Sequence, residues 1–291
     1  MDQWLTESLD KKEYFYDEAI LNFVTERINK KKAQIERYLE THPKLKEKLY
    51  SPKRRILRFR KSALSYLSID TDSTLDITPS IDKTESEKEF EKQQIAQLVA
   101  YQKACEMAHN FAHDDITYMD ESMFVRLHSE LCQNHPEKRN IIRMRLRNED
   151  DPTIMIGKGY FQPVDGSIVN IRVSMLLFNY LNNWETDNIF ARGAKFVTEY
   201  IRIQPHLDGN KRVALMLLNY ILEKNGYADI YFDKNQIEKL YEQIKYAMLS
   251  RDVTHFALLI AKTMEKNYDN TIEKIKDYRI EQLGETLFSN L

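Results

Sequence analysis

Asp208, Gly209, Asn210, Lys211 and Arg212 stand side by side, directly ahead of the apolar run Val213 to Leu222. Each residue brings a group that suits a phosphate. Gly209 lets the backbone approach an anion closely. Asn210 offers an amide donor, and Lys211 and Arg212 offer cations, the arginine as a bidentate fork. Asp208 is a hard oxygen ligand able to hold magnesium beside a phosphate. A helix beginning here would add its own unpaired N-terminal N–H groups, which favour anions. Together these are the parts of a nucleoside-triphosphate site. A plainer alternative remains open, in which Asp-Gly-Asn is only a turn that starts a helix and the two cations face solvent.

The positioning elements read as helices. Val213 to Leu222 is apolar on nearly every side, and Asn225-Gly226 closes it through a left-handed cap. Residues 189–202 place Phe190, Ala194, Val197, Tyr200 and Ile201 on one face. Further helices are predicted over 14–41, from a Thr84/Glu87 capping box to about 111, and from Asp120 to about 133. Others follow over 169–184, and two or three more over 235–283. One region differs: Ile142, Met144 and Leu146 alternate with Arg143, Arg145 and Arg147, a period of two, and Gly157, Gly159 and Tyr160 to Pro163 follow. That pattern predicts a short β-hairpin or extended flap.

The chain has 291 residues, 42% apolar and 30% charged, with a net charge of −2 and only seven glycines and seven prolines. Such totals favour a soluble, mainly α-helical protein with no global pull toward nucleic acid or membrane. Cys105 and Cys132 are spaced for neither a zinc site nor a disulfide framework. No signal-like apolar core opens the chain, and the longest apolar run is too short to span a bilayer, so a cytoplasmic location is expected. The basic run Lys44 to Lys61 reads as a solvated helix face rather than a nucleic-acid patch, because acidic residues follow at once. His109 and His113 have the helical spacing of metal ligands, beside Asp114 and Asp115, but no third ligand is spaced to complete a site.

With Pro205 two places after Ile203, the stretch Gln204-Pro205-His206-Leu207-Asp208-Gly209-Asn210-Lys211-Arg212 resembles the signature of the Fic/Doc family, His-Pro-Phe-x-Asp/Glu-Gly-Asn-Gly/Lys-Arg. Tyr160, Phe161, Gln162 and Pro163 are similar to that family's target-binding flap, and the resemblance covers roughly residues 90 to 230. It implies a Fic-fold helical bundle with a β-hairpin flap and additional N- and C-terminal helices. The expected organisation is an N-terminal helical region over 1–65, a linker over 66–90, a Fic-like domain over 91–230, and C-terminal helices over 231–291. The resemblance also implies adenylyl transfer from ATP, or another nucleoside triphosphate with magnesium on Asp208, to a Ser, Thr or Tyr hydroxyl or an extended segment of a protein target.

This sequence departs from the pattern at several positions. Gln204 occupies the place of the catalytic histidine, and a carboxamide is no proton acceptor at neutral pH. Lys211 and Leu215 are similar to the death-on-curing branch, for which a phosphoryl transfer is implied. His206 takes the phenylalanine position, where it is either a core side chain or a displaced base. Ser65 to Thr71 is a poor match to the family's regulatory helix, with Asp70 in place of its glutamate. The expected function is therefore a nucleotide-binding Fic-type protein with weak or absent AMPylation activity. Two alternatives are an active transferase of the death-on-curing type and a non-enzymatic interaction module that uses the flap.

Overall fold

A computed structural model describes residues 13–70, 85–134, 144–152, 154 and 161–289. Ten helices are described: α1 (Glu18–Glu40), α2 (Pro43–Tyr50), α3 (Pro52–Asp70), α4 (Glu85–His113), α5 (Glu121–Cys132), α6 (Val169–Phe178), α7 (Ile189–Ile203), α8 (Asn210–Lys224), α9 (Lys234–Ser250) and α10 (Thr254–Ser289). Thr84 and the side chains of 65–71, with the capping box and regulatory-helix readings that fall on them, lie outside the described residues.

Helix α8 is the centre. Val213 to Leu218 and Tyr220 to Glu223 are all buried, so the helix is covered by neighbours on almost every side. Those neighbours are α4, α5 and α7. Local chemistry fixes the helix ends. Asp120 caps α5 by accepting from the Met123 N–H at 2.9 Å, and Asp233 and Gln236 form a capping box on α9. Gly226, at φ +75°, supplies the left-handed turn after α8, and its N–H donates to the Glu223 carbonyl. Helix α6 runs into a π turn over Asn179–Asn183, which points Tyr180 into the core.

The β-hairpin flap is not found: the described residues hold no β-strand, only isolated bridges, Phe15 with Asp252 and one at Phe161. The alternation misleads for a physical reason. Met144 sits at φ +51°, outside the extended region, and the adjacent Leu146 and Arg147 are both buried instead of facing opposite ways. The Arg147 N–H donates to the Pro205 carbonyl at 2.7 Å, so this backbone bonds to a loop and not to a hairpin partner. Gly166 packs so closely on this segment that a Cβ there would lie 1.9 Å from the Asn148 carbonyl oxygen.

The basic run is largely exposed, at Lys44, Lys46, Lys48, Lys53 and Arg60, and some of its arginines also bond across the fold. Arg58 bonds to Asp229 at 3.2 Å, Arg60 to Gln102 at 3.0 Å, and Arg55 to His109. These arginines dock α3 on α4 and on the segment after α8. No described helix is long and apolar enough to cross a membrane.

A buried ionic cluster ties the N-terminal segment to α6, α7 and the α9–α10 corner. Glu199 accepts from Tyr14 at 2.6 Å, Arg172 at 2.8 Å and Arg251 at 3.2 Å, with Arg202 Nε at 3.5 Å. Burial pushes this carboxyl up, but the Arg202 charge, the Tyr14 hydroxyl and the other two guanidiniums outweigh it and hold it below its ordinary value. Glu199→Ala leaves three guanidiniums without their counter-ion and should destabilise by about 3–5 kcal/mol in urea unfolding. The ion-pair contribution is present above the unfolded glutamate value of about 4.3 and is lost as pH falls through the lower folded value. An acid titration of stability should therefore flatten in that range in the variant.

Candidate functional site

The site is a chain reversal between two buried helices. Helix α7 must stop at Ile203 and α8 must begin at Asn210, inside the protein. Gln204 ends α7 in the left-handed region, φ +50° and ψ +67°, with its N–H on the Tyr200 carbonyl at 3.1 Å. Its side chain turns inward. Nε2 donates to the Ile201 carbonyl at 2.9 Å, and Oε1 accepts from Asn210 Nδ2 at 2.7 Å. Asn210 closes the turn: Nδ2 also donates to the His206 carbonyl at 2.7 Å, and Oδ1 accepts from the His206 N–H at 2.9 Å. Gln204 and Asn210 are both buried, so this bridge is shielded from water.

Arg147 braces the same reversal from outside the signature. Its Nε donates to the Gln204 carbonyl at 3.2 Å and its Nη2 to the carbonyls of Val164 at 2.6 Å and Ile203 at 3.3 Å. The cation thus sits at the negative end of the α7 dipole and satisfies carbonyls that the helix leaves unpaired. Burial lowers its pKa, and Asp165 and Asp151 act in the opposite direction. Sequence reading missed this residue, which stood in the arginine alternation assigned to a strand.

His206 is 2% exposed, and its ring stacks flat on His128, centroids 3.9 Å apart and planes 4° from parallel. The ring nitrogens of His206 face backbone groups of Arg145 and Phe124 without a hydrogen bond of full geometry to either. Burial and the neighbouring His128 push its pKa well below the ordinary value, although backbone groups of Arg145 and Phe124 favour its protonated form. His128 Nε2–H donates to the Asp208 carbonyl at 3.0 Å, which pins the loop to α5. Burial lowers His128 to about 4, against the opposing influence of Asp208. At neutral pH both rings are neutral. The displaced-base role for His206 therefore finds no support in its surroundings.

The phosphate-binding candidates come together at the start of α8. Gly209 is at φ +76° and ψ 0°, and its N–H donates to Asp208 Oδ1 at 2.6 Å. A Cβ there would meet Leu131 at 3.1 Å, so both the turn and the close packing call for glycine. No side chain caps α8. Asp208 is half exposed and lies 3.4 Å from the Arg212 guanidinium. Lys211 leans over the Tyr241 ring at 4.4 Å, and Leu215 is buried. Of the flap residues, Phe161 stacks on Arg202 at 4.8 Å, Gln162 is exposed and Pro163 is buried; Tyr160 lies outside the described residues. A cavity of about 290 Å³ lined by Tyr50, Arg58, Asp229, Tyr231, Tyr268 and Lys274 contains none of the signature residues.

Comparison with known proteins agrees with this architecture. Residues 118–222 match the model of the Fic/DOC family. A Fic-domain-containing signalling protein from Bacteroides thetaiotaomicron is 15% identical and superposes with a TM-score of 0.64, over 86% of this chain and 97% of that one. Fic-1 from C. elegans is 14% identical, TM-score 0.63, over 89% and 74%. A Fic family protein from Desulfovibrio desulfuricans is 16% identical, TM-score 0.56, over 86% and 74%. At these identities the likeness is one of fold.

Two substitutions test the reversal. Gln204→Ala loses the bridge and keeps the left-handed strain, whereas Gln204→Gly loses the bridge and relieves the strain. Denaturant unfolding should find the glycine variant more stable than the alanine variant by about 1 kcal/mol. His206→Phe keeps a flat ring on His128 and removes a buried group that can take up a proton in the unfolded chain. In the parent, the unfolded chain binds protons at these histidines that the native state refuses. Stability should therefore fall as pH drops below about 6.5, and His206→Phe should lessen that fall.

Proposed function

We infer, from the premise that this chain belongs to the Fic/DOC family through residues 118–222, that it binds a nucleoside triphosphate at the start of α8 and transfers from it weakly or not at all. The uncapped N-terminus of α8, with Gly209 in the left-handed turn and Arg212 beside it, supports the phosphate contact. Asp208, half exposed and facing that end, is the residue that would hold magnesium. ATP is the ligand to try first, and the acceptor class would be a hydroxyl on a protein.

The observation that carries the reading is the engagement of the Gln204 carboxamide. One end bonds to Ile201 and the other to Asn210, so it offers no proton-accepting group to a hydroxyl. Loss of a positioned general base lowers the rate by about 10²- to 10⁴-fold. His206 is sealed against His128 and does not reach a substrate. Phosphoryl transfer of the death-on-curing type is a second reading, favoured by Lys211 and the buried Leu215, and the same missing base limits it.

Thermal unfolding in the presence of Mg-ATP tests the binding half. The melting temperature should rise with ligand concentration, and Arg212→Ala should abolish the rise. No rise at millimolar Mg-ATP would overturn the reading. Gln204→His should then acquire self-labelling with ATP that the parent lacks; binding without any gain would mean that more than the base is missing.

A further inference from the structure

At the far end of α8 from the signature loop, three side chains converge that the nucleotide chemistry does not use. His109 and His113 lie one turn apart on α4, and Glu223 lies in the last turn of α8. One ligand atom from each falls within 4.8 Å of the others. His109 Nδ1 and His113 Nε2 both contact the same carboxylate oxygen of Glu223, the latter at 3.0 Å. The two imidazoles are 4.3 Å apart between centroids. Glu223 lies thirteen positions along the helix from Asn210, about 20 Å at the α-helical rise, so this is not part of the phosphate site.

We propose that His109, His113 and Glu223 form a binding site for a divalent transition metal ion, of which zinc is the best fit. Two neutral imidazoles and a carboxylate are a ligand set for tetrahedral zinc with one open position. Ligand atoms at zinc bonding distance lie about 3.3 Å from one another; the His113–Glu223 contact is near this at 3.0 Å and all three atoms lie within 4.8 Å, a range that side-chain rotations can adjust. The Glu223 side chain is 6% exposed and that of His109 18%, which preorganises two ligands, while His113 at 58% leaves the fourth position facing water. The ion would staple α4 to the C-terminal end of α8. Sequence spacing showed only the histidine pair; the third ligand comes from a residue more than a hundred positions away.

Arg55 makes the site selective about its state. Its Nη1 donates to His109 Nε2. In the metal-free chain Nε2 must therefore accept, and the proton sits on Nδ1, facing Glu223. A metal on Nδ1 moves that proton to Nε2, where it meets the guanidinium donor-to-donor. Arg55 must swing away, so it opposes metal binding.

The full chain, stripped with chelator, is titrated with Zn²⁺ by calorimetry, with Co²⁺ as a spectroscopic probe. One ion per chain should bind, the melting temperature should rise with it, and Co²⁺ should give the visible bands of tetrahedral coordination. His113→Ala, an exposed position that leaves the fold intact, should weaken zinc by at least about 100-fold and abolish the bands. Arg55→Ala should tighten zinc, because the donor that opposes a proton on His109 Nε2 is gone. No stoichiometric binding would overturn the proposal, as would binding that survives in a His109→Ala/His113→Ala chain. In that case the three groups are a hydrogen-bonded cluster and any zinc is adventitious. Mg-ATP is absent from all arms, so failure here leaves the nucleotide reading untouched.

Discussion

A backbone that reverses between two helices deep inside a protein must find partners for the carbonyls ending one helix and the N–H groups opening the next. That requirement governs the centre of this molecule. Between Ile203 and Asn210 the Gln204 and Asn210 side chains satisfy each other across the turn, and Arg147 gathers carbonyls from Val164, Ile203 and Gln204. Arg147 is a buried cation whose hydrogen bonds run to carbonyl dipoles, a low-dielectric arrangement that is strong while complete. Everything in the loop from Pro205 to Gly209 inherits its position from this frame.

The frame gives the glutamine a structural meaning. At a position where a proton acceptor would need an open face toward a substrate, the carboxamide has both ends held by the fold. The histidine two residues on is flattened between α5 and the core and kept neutral. Both changes favour a rigid, desolvated turn over a reactive one. The surface at Asp208 stays partly open to water beside it. Structural consolidation thus claims part of the Gln204–Arg212 stretch: the Asn210 amide and the Gly209 N–H are already committed to the turn.

Much of this was readable from the sequence, for identifiable reasons. Helices α5, α7 and α8 carry long apolar periods and explicit punctuation at Asp120 and Asn225-Gly226, so their limits were placed within a few residues. The hairpin was misread because alternation reports only residue type, while the backbone bond of Arg147 is settled by the distant Pro205 it faces. The arginines of the basic run looked solvated because their acceptors, Asp229, Gln102 and His109, are remote in sequence. Asn210 reads in the sequence as a phosphate donor, whereas in the structure its amide closes the turn; that role was not legible, since Gln204 as its partner requires the left-handed residue at the helix end.

One consequence concerns the order in which the molecule assembles. The bonds that shape the loop join residues far apart along the chain: Arg147 to Gln204 spans 57 positions and His128 to Asp208 spans 80. Helices of this length form from local contacts, but these pairings need large chain loops to close first. The turn therefore takes its final shape only after Arg147 and His128 have been brought in from distant parts of the chain, whereas α7 and α8 can form locally on either side.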